Sequence, residues 1–177
     1  MPTRFKVHCS AYPHFITSTV TYWLPIFSKD SYFDTLLQSF CYCIENKGLR
    51  LHDFVFMPNH FHAICSCGVG NLADVIGDIK GFTSKRIAAL LKSDGRSKWL
   101  YALKRAGGDE IDVKVWQDGF HPEQIHSLPF YEQKRRYLYE NPVRAGYVED
   151  ILEWRHSSAR YWYADGESLL PLEAIDW

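Results

Sequence analysis

Two short stretches hold the side chains whose types and spacing could do chemistry together. The first is His60-Phe61-His62. On a β-strand, residues two apart point to the same face, so both imidazoles could approach one cation while Phe61 packs on the other side. By the same parity Ile64 shares the histidine face and Cys65 and Cys67 face away, which disfavours a His-His-Cys-Cys zinc site. Alone, the pattern also fits two polar residues on a solvent-facing strand. The second stretch runs from Arg135 to Gly146 (RRYLYENPVRAG). On a helix Tyr137 and Asn141 share a face, so a phenol and a carboxamide oxygen could meet the same metal region. Tyr139 is turned about 200° away from Asn141, and Tyr131 fails the same test. Asn141 precedes Pro142, and the residue before proline is pushed away from helical angles. This stretch also fits an ordinary helix end with aromatic packing and Pro-Gly punctuation.

The remaining sequence must supply the elements that position these groups. Phe15 to Thr21 is rich in β-branched residues and predicts a strand ended by Trp23-Leu24-Pro25. From Ser31 to Asn46 the apolar residues Phe33, Leu36, Leu37, Phe40 and Ile44 recur at helical spacing, with Lys47-Gly48 as the stop. Leu49 to Cys67 holds two apolar runs interrupted by Met57-Pro58-Asn59, which predicts a hairpin carrying the histidines. A helix is expected from Asn71 to about Lys92, with Gly81 as the point where it could break. A flexible turn follows at Gly107-Gly108-Asp109-Glu110 and a short strand at Val113–Trp116. Leu128-Pro129 then opens a helix to about Glu140. From Val148 onward the chain is acidic, and such a tail could dock on the protein's own basic face or stay solvated.

Composition bounds the rest. A chain of 177 residues, 46% hydrophobic and with a net charge of -1, falls within the range of one soluble globular domain, and a chain of this length needs no disulfide or metal to hold a core. Disordered and fibrous classes are excluded. Five cysteines, an odd number with no C-x2-C spacing, read as buried reduced thiols. The start lacks the apolar run of a signal peptide, and no stretch approaches the ~20 apolar residues that cross a bilayer. A cytoplasmic protein with no membrane partner is expected. Within the neutral chain, Lys80, Lys85, Arg86, Lys92, Arg96, Lys98, Lys104 and Arg105 form a local basic stretch opposed only by Asp94. A solvated helix face followed by a loop would look the same.

Taken together, Met57-Pro58-Asn59-His60-Phe61-His62 and Tyr137 with Asn141-Pro142-Val143-Arg144-Ala145-Gly146 resemble the REP-associated tyrosine transposases, within the HUH single-tyrosine transposases. The resemblance extends over most of the chain, through Ile79 to Arg86 after the H-x-H, Trp116-Gln117 before the tyrosine helix and Ser157-Ser158 beyond it. A single domain over residues 1–177 with an acidic C-terminal tail is expected; the slightly acidic overall charge, which that tail causes, departs from what the resemblance implies. The fold would be α+β, a ferredoxin-like HUH domain with a mainly antiparallel sheet and helices packed on one side. It further implies a divalent metal, Mg2+ or Mn2+, held by His60 and His62 with Asn141 as third ligand, and Tyr137 as nucleophile. The activity implied is cleavage and rejoining of single-stranded DNA near hairpins, REP-like palindromes, through a covalent 5′-phosphotyrosine, by a monomer. Lys80, Lys85 and Arg86 are expected to contact phosphates, with Arg135 or Arg136 beside the nucleophile. Trp116 is either a base-stacking platform or a core residue. The rivals are a related replication or conjugation initiator and a domesticated DNA-binding module that keeps the motif without turnover.

Overall fold

The structure, a computed structural model, describes residues 7, 9–108 and 112–175. Its centre is a four-stranded antiparallel sheet in the order β2-β3-β1-β4, built from β1 (His14–Thr19), β2 (Leu49–Met57), β3 (His60–Cys67) and the short β4 (Glu123–Gln124). Pro58-Asn59 closes the tight connection between β2 and β3, as turn chemistry requires. In this register His62 lies opposite Thr17, and His60 opposite Thr19 and Met57.

Alternation along the strands divides the core in two. Ile16, Phe54, Phe56, Phe61, Ala63 and Cys65 face one side, where they are covered by α1 (Asp30–Lys47) and α2 (Leu72–Ser93). Phe15, Val55, Met57 and Ile64 face the other, against Tyr131, Leu138 and Tyr139 of α4 (Leu128–Arg144). Helices therefore cover both faces of the sheet, not the single face expected from the sequence. Both sheet faces carry enough apolar side chains to require a cover, and each large one fully buried is worth roughly 1.5–3 kcal/mol. A register shift between Leu51 and Asp53 keeps Leu51 in the first core while turning Asp53 toward α4.

Local signals explain the helix limits. The Asn71 side chain accepts from the Ala73 amide at the start of α2, and Gly48, at φ 69°, ends α1 in the left-handed conformation that glycine adopts without strain. α2 continues unbroken through Gly81. Ser127 caps α4, with Leu128-Pro129 in its first turn. α4 runs past Glu140 and through Pro142, and closes with Tyr147 N donating to Pro142 O and Gly146 N to Val143 O, with Gly146 at φ 73°.

Three further expectations differ. Residues 97–107 are a helix, α3 (Ser97–Gly107), buried only at Leu103. Val113–Trp116 makes only an isolated bridge from Trp116 to Val20, and half of the turn expected at Gly107–Glu110 lies outside the described residues. The C-terminal tail docks on the β2 edge: Phe56 N donates to His156 O, Ser158 N to Phe54 O and Glu173 N to Leu51 O. It covers hydrogen-bonding groups that an edge strand would otherwise expose. Its short helix α5 (Ala159–Tyr163) brings Trp162 and Tyr163 over Arg135. Among the described residues no helix is long and apolar enough to cross a membrane.

Candidate active site

β3 supplies His60 and His62, β1 supplies Phe15 and Thr17, and α4 supplies Lys134, Tyr137 and Asn141. Together with Trp23, His121 and Glu123 these line one cleft of about 570 Å3 on the α4 side of the sheet. The imidazoles sit 4.8 Å apart, centroid to centroid, and the Tyr137 ring lies 5.4 Å from that of His62. Tyr137 is 43% exposed, so its ring is open to a ligand. Arg144 stacks over that ring at 4.4 Å and donates to the Tyr137 carbonyl at 2.8 Å, which fixes the end of α4 around it. Asn141 stays helical despite the following proline. Its Oδ1 lies 3.2 Å from His60 Nε2, which closes the site from the helix side.

The donor chemistry of the pair suits a cation. His60 Nδ1 pairs with Asn59 Oδ1 at 2.7 Å, and His62 Nδ1 with Thr17 Oγ1 at 2.7 Å. The Asn59 carboxamide oxygen only accepts, so it holds the His60 proton on Nδ1 and leaves Nε2 with its lone pair, the outer-shell arrangement of metal-binding histidines, and the Thr17 hydroxyl can accept from Nδ1 of His62 in the same way. In that tautomer His60 Nε2 and Asn141 Oδ1 present two lone pairs to each other, and a positive ion between such groups relieves the opposition. Burial pushes the His60 imidazolium down and that of His62 to about 3, so both rings are neutral and able to ligate at pH 7. Among the described residues no group of three or more His, Cys, Asp or Glu is placed to hold a metal; a set here needs the carboxamide of Asn141.

The other tyrosines of α4 belong to a different structure. Asp53 is fully buried beneath the helix and accepts from Tyr131 OH at 2.7 Å, from Tyr139 OH and from Arg135 Nε at 3.2 Å. Burial drives the Asp53 carboxyl up, opposed by the Arg135 guanidinium and the two phenols, while burial and the neighbouring carboxylate hold both phenols far above their ordinary value. Tyr139 also meets Ser158 Oγ at 3.0 Å. This network fastens α4 to β2 on the side away from the histidines.

The expected DNA contacts disperse. Arg135 is committed to Asp53 under the rings of Tyr131, Tyr139, Trp162 and Tyr163, so it presents no free cation to a phosphate. Trp116 is 4% exposed, donates to Thr83 Oγ1 and stacks on Phe27; it takes the core role and offers no face to a base. Lys80 donates to the carbonyls of Gln117, at 2.7 Å, and Gly119, and burial lowers its ammonium to about 8. It anchors the loop whose continuation delivers His121 and Glu123 to the histidine cleft. Lys85 and Arg86 are exposed on α2, and Arg136 is exposed on α4, loosely paired with Glu140 at 4.0 Å. Lys85 lines a second cleft with Ser84, Lys114 and the 117–119 loop, outside the histidine site.

Sequence reasoning missed Thr17, Trp23, Glu123 and Lys134. Lys134 sits one turn before Tyr137, pairs with both oxygens of Glu123 at 2.8 Å and lies 4.9 Å from the Phe15 ring. Its three-residue offset from Tyr137 was a usable signal. Thr17 and Glu123 depend on strand register and gave none.

This sheet, with a helix laid across the face that carries the histidines, defines an α+β fold with a mainly antiparallel sheet. A REP-associated tyrosine transposase solved bound to a REP hairpin shares it over 100% of this chain and 95% of its own, at a TM-score of 0.68 and 16% identity. A candidate transposase from Deinococcus radiodurans R1 is more loosely alike, at a TM-score of 0.44 and 16% identity over 77% of this chain and 94% of its own. No protein-family profile and no curated relative matches the sequence.

Proposed function

We propose that the chain is a metal-dependent single-strand DNA endonuclease and transposase that cuts and rejoins strands near hairpins through Tyr137. The observation that carries this reading is the Tyr137 ring, 43% exposed, facing a pair of neutral histidines across one cleft. A fold shared with a transposase bound to a REP hairpin supports the choice of DNA as substrate.

His60, His62 and Asn141 would hold a divalent cation, and Mg2+ or Mn2+ suits a mixed nitrogen and oxygen set completed by water. When bound, such an ion polarises the scissile phosphate and stabilises the charge that develops on its oxygens. The protein's own part is positional. Arg144 fixes the Tyr137 ring, and the Asp53 network holds α4 so that the phenol stays opposite the histidines. The Tyr137 hydroxyl gives its proton to water as its oxygen attacks phosphorus, the bond from phosphorus to the 3′-oxygen breaks, and that oxygen takes a proton from water and leaves as a 3′-hydroxyl. The 5′ end remains joined to the tyrosine. Because the phosphodiester is exchanged and not hydrolysed, a 3′-hydroxyl can reverse the step without ATP.

The experiment is a denaturing gel of the protein mixed with hairpin-bearing single strands from the DNA flanking its gene, with Mg2+ or Mn2+. A protein-linked labelled strand is expected from the wild type, and none with excess chelator or with His60→Ala, which removes a half-buried ring outside both core clusters. An adduct that survives chelation contradicts metal dependence, and DNA binding with no adduct under any divalent ion favours a binding module.

A further inference from the structure

The turn that follows β1 has an unusual backbone. Tyr22 and Trp23 lie at φ 58° and φ 55°, in the left-handed region that costs bulky side chains strain, and both rings stand in solvent. Neither feature is forced by packing of the rings themselves, since a core contact would bury them. The surrounding chain imposes the conformation instead. Val20 N donates to Asn59 O at 2.8 Å and Thr21 N to Val115 O at 2.8 Å, while Phe27 N donates to Pro58 O at 2.9 Å and Ile26 and Phe27 are fully buried.

The clamped turn delivers Trp23 to the histidine cleft. Its indole is 57% exposed, lies 5.9 Å from the His60 ring at 66° and lines the cleft with Tyr137 and Asn141. Asn59 couples the two: its Oδ1 pairs with His60 Nδ1, and its Nδ2 donates to the Trp23 carbonyl at 3.5 Å. A flat aromatic face carried on a clamped turn, one side chain from the histidine pair, matches an unpaired base attached to the phosphate under attack. The π-face of a base is common to all four nucleotides, so such a contact grips single strands irrespective of sequence. A base still paired in a duplex has its faces covered by its neighbours.

We infer that Trp23 is a stacking platform for an unpaired base next to the scissile phosphate, so that the site selects single-stranded over duplex DNA at the point of cleavage. The inference rests on the single-strand reading above. It also gives the strained turn a purpose, because glycine at position 23 would relax the backbone but remove the ring.

The test compares Trp23→Gly, Trp23→Phe and the wild type by fluorescence anisotropy on two probes of equal length and charge, oligo(dT) and the same strand with every base removed. Stacking predicts that Trp23→Gly weakens oligo(dT) binding by roughly ten- to a hundredfold. It leaves the abasic strand bound as before, and Trp23→Phe restores most of the loss. The melting temperature of Trp23→Gly should equal or exceed that of the wild type, which separates lost stacking from unfolding. Wild-type affinity of Trp23→Gly for oligo(dT), or an equal loss on both probes, overturns the platform. If the wild type still forms the Tyr137 adduct in that case, the proposed function stands; a wild type that binds neither probe and forms no adduct defeats both.

Discussion

Tyr137 and Tyr139 are two residues apart on α4 and sit in opposite chemical settings. Tyr137 faces the histidines, half in solvent; Tyr139 is 2% exposed, with its hydroxyl on a buried carboxylate. A nucleophile must be reachable and must lose its proton, and the buried phenol beside Asp53 meets neither condition. Tyr139→Phe should therefore leave adduct formation intact at permissive temperature. It removes the buried hydrogen bonds to Asp53 and Ser158, so it should cost about 1.5–3 kcal/mol and lower the melting temperature by roughly 5 °C. Thermal denaturation next to an adduct gel checks both halves. Loss of the adduct with no loss of stability would put the chemistry on the wrong tyrosine.

At the scale of elements, α4 is the part that makes the site, because one face of it packs on Val55 and Ile64, one is tied to Asp53 and one meets the histidines. α2 carries the exposed cations Lys85 and Arg86. If they contact phosphates, replacing both with alanine should flatten the salt dependence of single-strand binding by roughly 1.4 units, at about 0.7 per phosphate. Adding Lys80→Ala should flatten it little further, since Lys80 already serves two carbonyls of its own chain. Binding titrations across a salt series measure this, and an unchanged slope in the double variant would make Lys85 and Arg86 a solvated helix face.

The same scale shows what the sequence could convey. The H-x-H strand and the offset from Tyr137 to Asn141 were legible because strand parity and helical periodicity are local. Asp53 was not, since its burial depends on a register shift in β2 and on a helix far along the chain. Arg135 was misplaced for the same reason: sequence shows a cation beside a tyrosine but not the carboxylate beneath it. α3 was hidden by its charge, with Leu103 as its one fully buried anchor. The pre-proline rule argued against a helical Asn141, and the tertiary contacts of α4 overrode it.

Across the whole molecule, three buried histidines outside ordinary solvent tie stability to pH. Burial lowers His52 and holds His62 near 3, and burial with the Arg155 guanidinium, opposed by Asp30 and Asp34, holds His156 near 4 where its ring stacks on Phe33. Each is depressed in the folded state, so between the folded value and about 6.5 the unfolded chain binds more protons. Stability is then fully present above pH 6.5 and falls as pH drops toward 4. His156 accounts for about 3 kcal/mol of that loss at most. Denaturant unfolding from pH 7 to pH 4 should show the decline, and His156→Gln should flatten it. A midpoint that stays level in the wild type would contradict the buried neutral rings.

The central claim is that Tyr137 is joined to the 5′ end of a cut strand. Its most direct test is mass spectrometry of the wild-type adduct after nuclease trimming and trypsin digestion. Cleavage after Arg136 and Arg144 yields the peptide 137–144, YLYENPVR, which contains both Tyr137 and Tyr139. Fragmentation assigns the added nucleotide to one ring. The structure predicts phosphorylated nucleotide mass on Tyr137 alone; the same mass on Tyr139 or Tyr131, or a cut strand with no modified tyrosine, would contradict it.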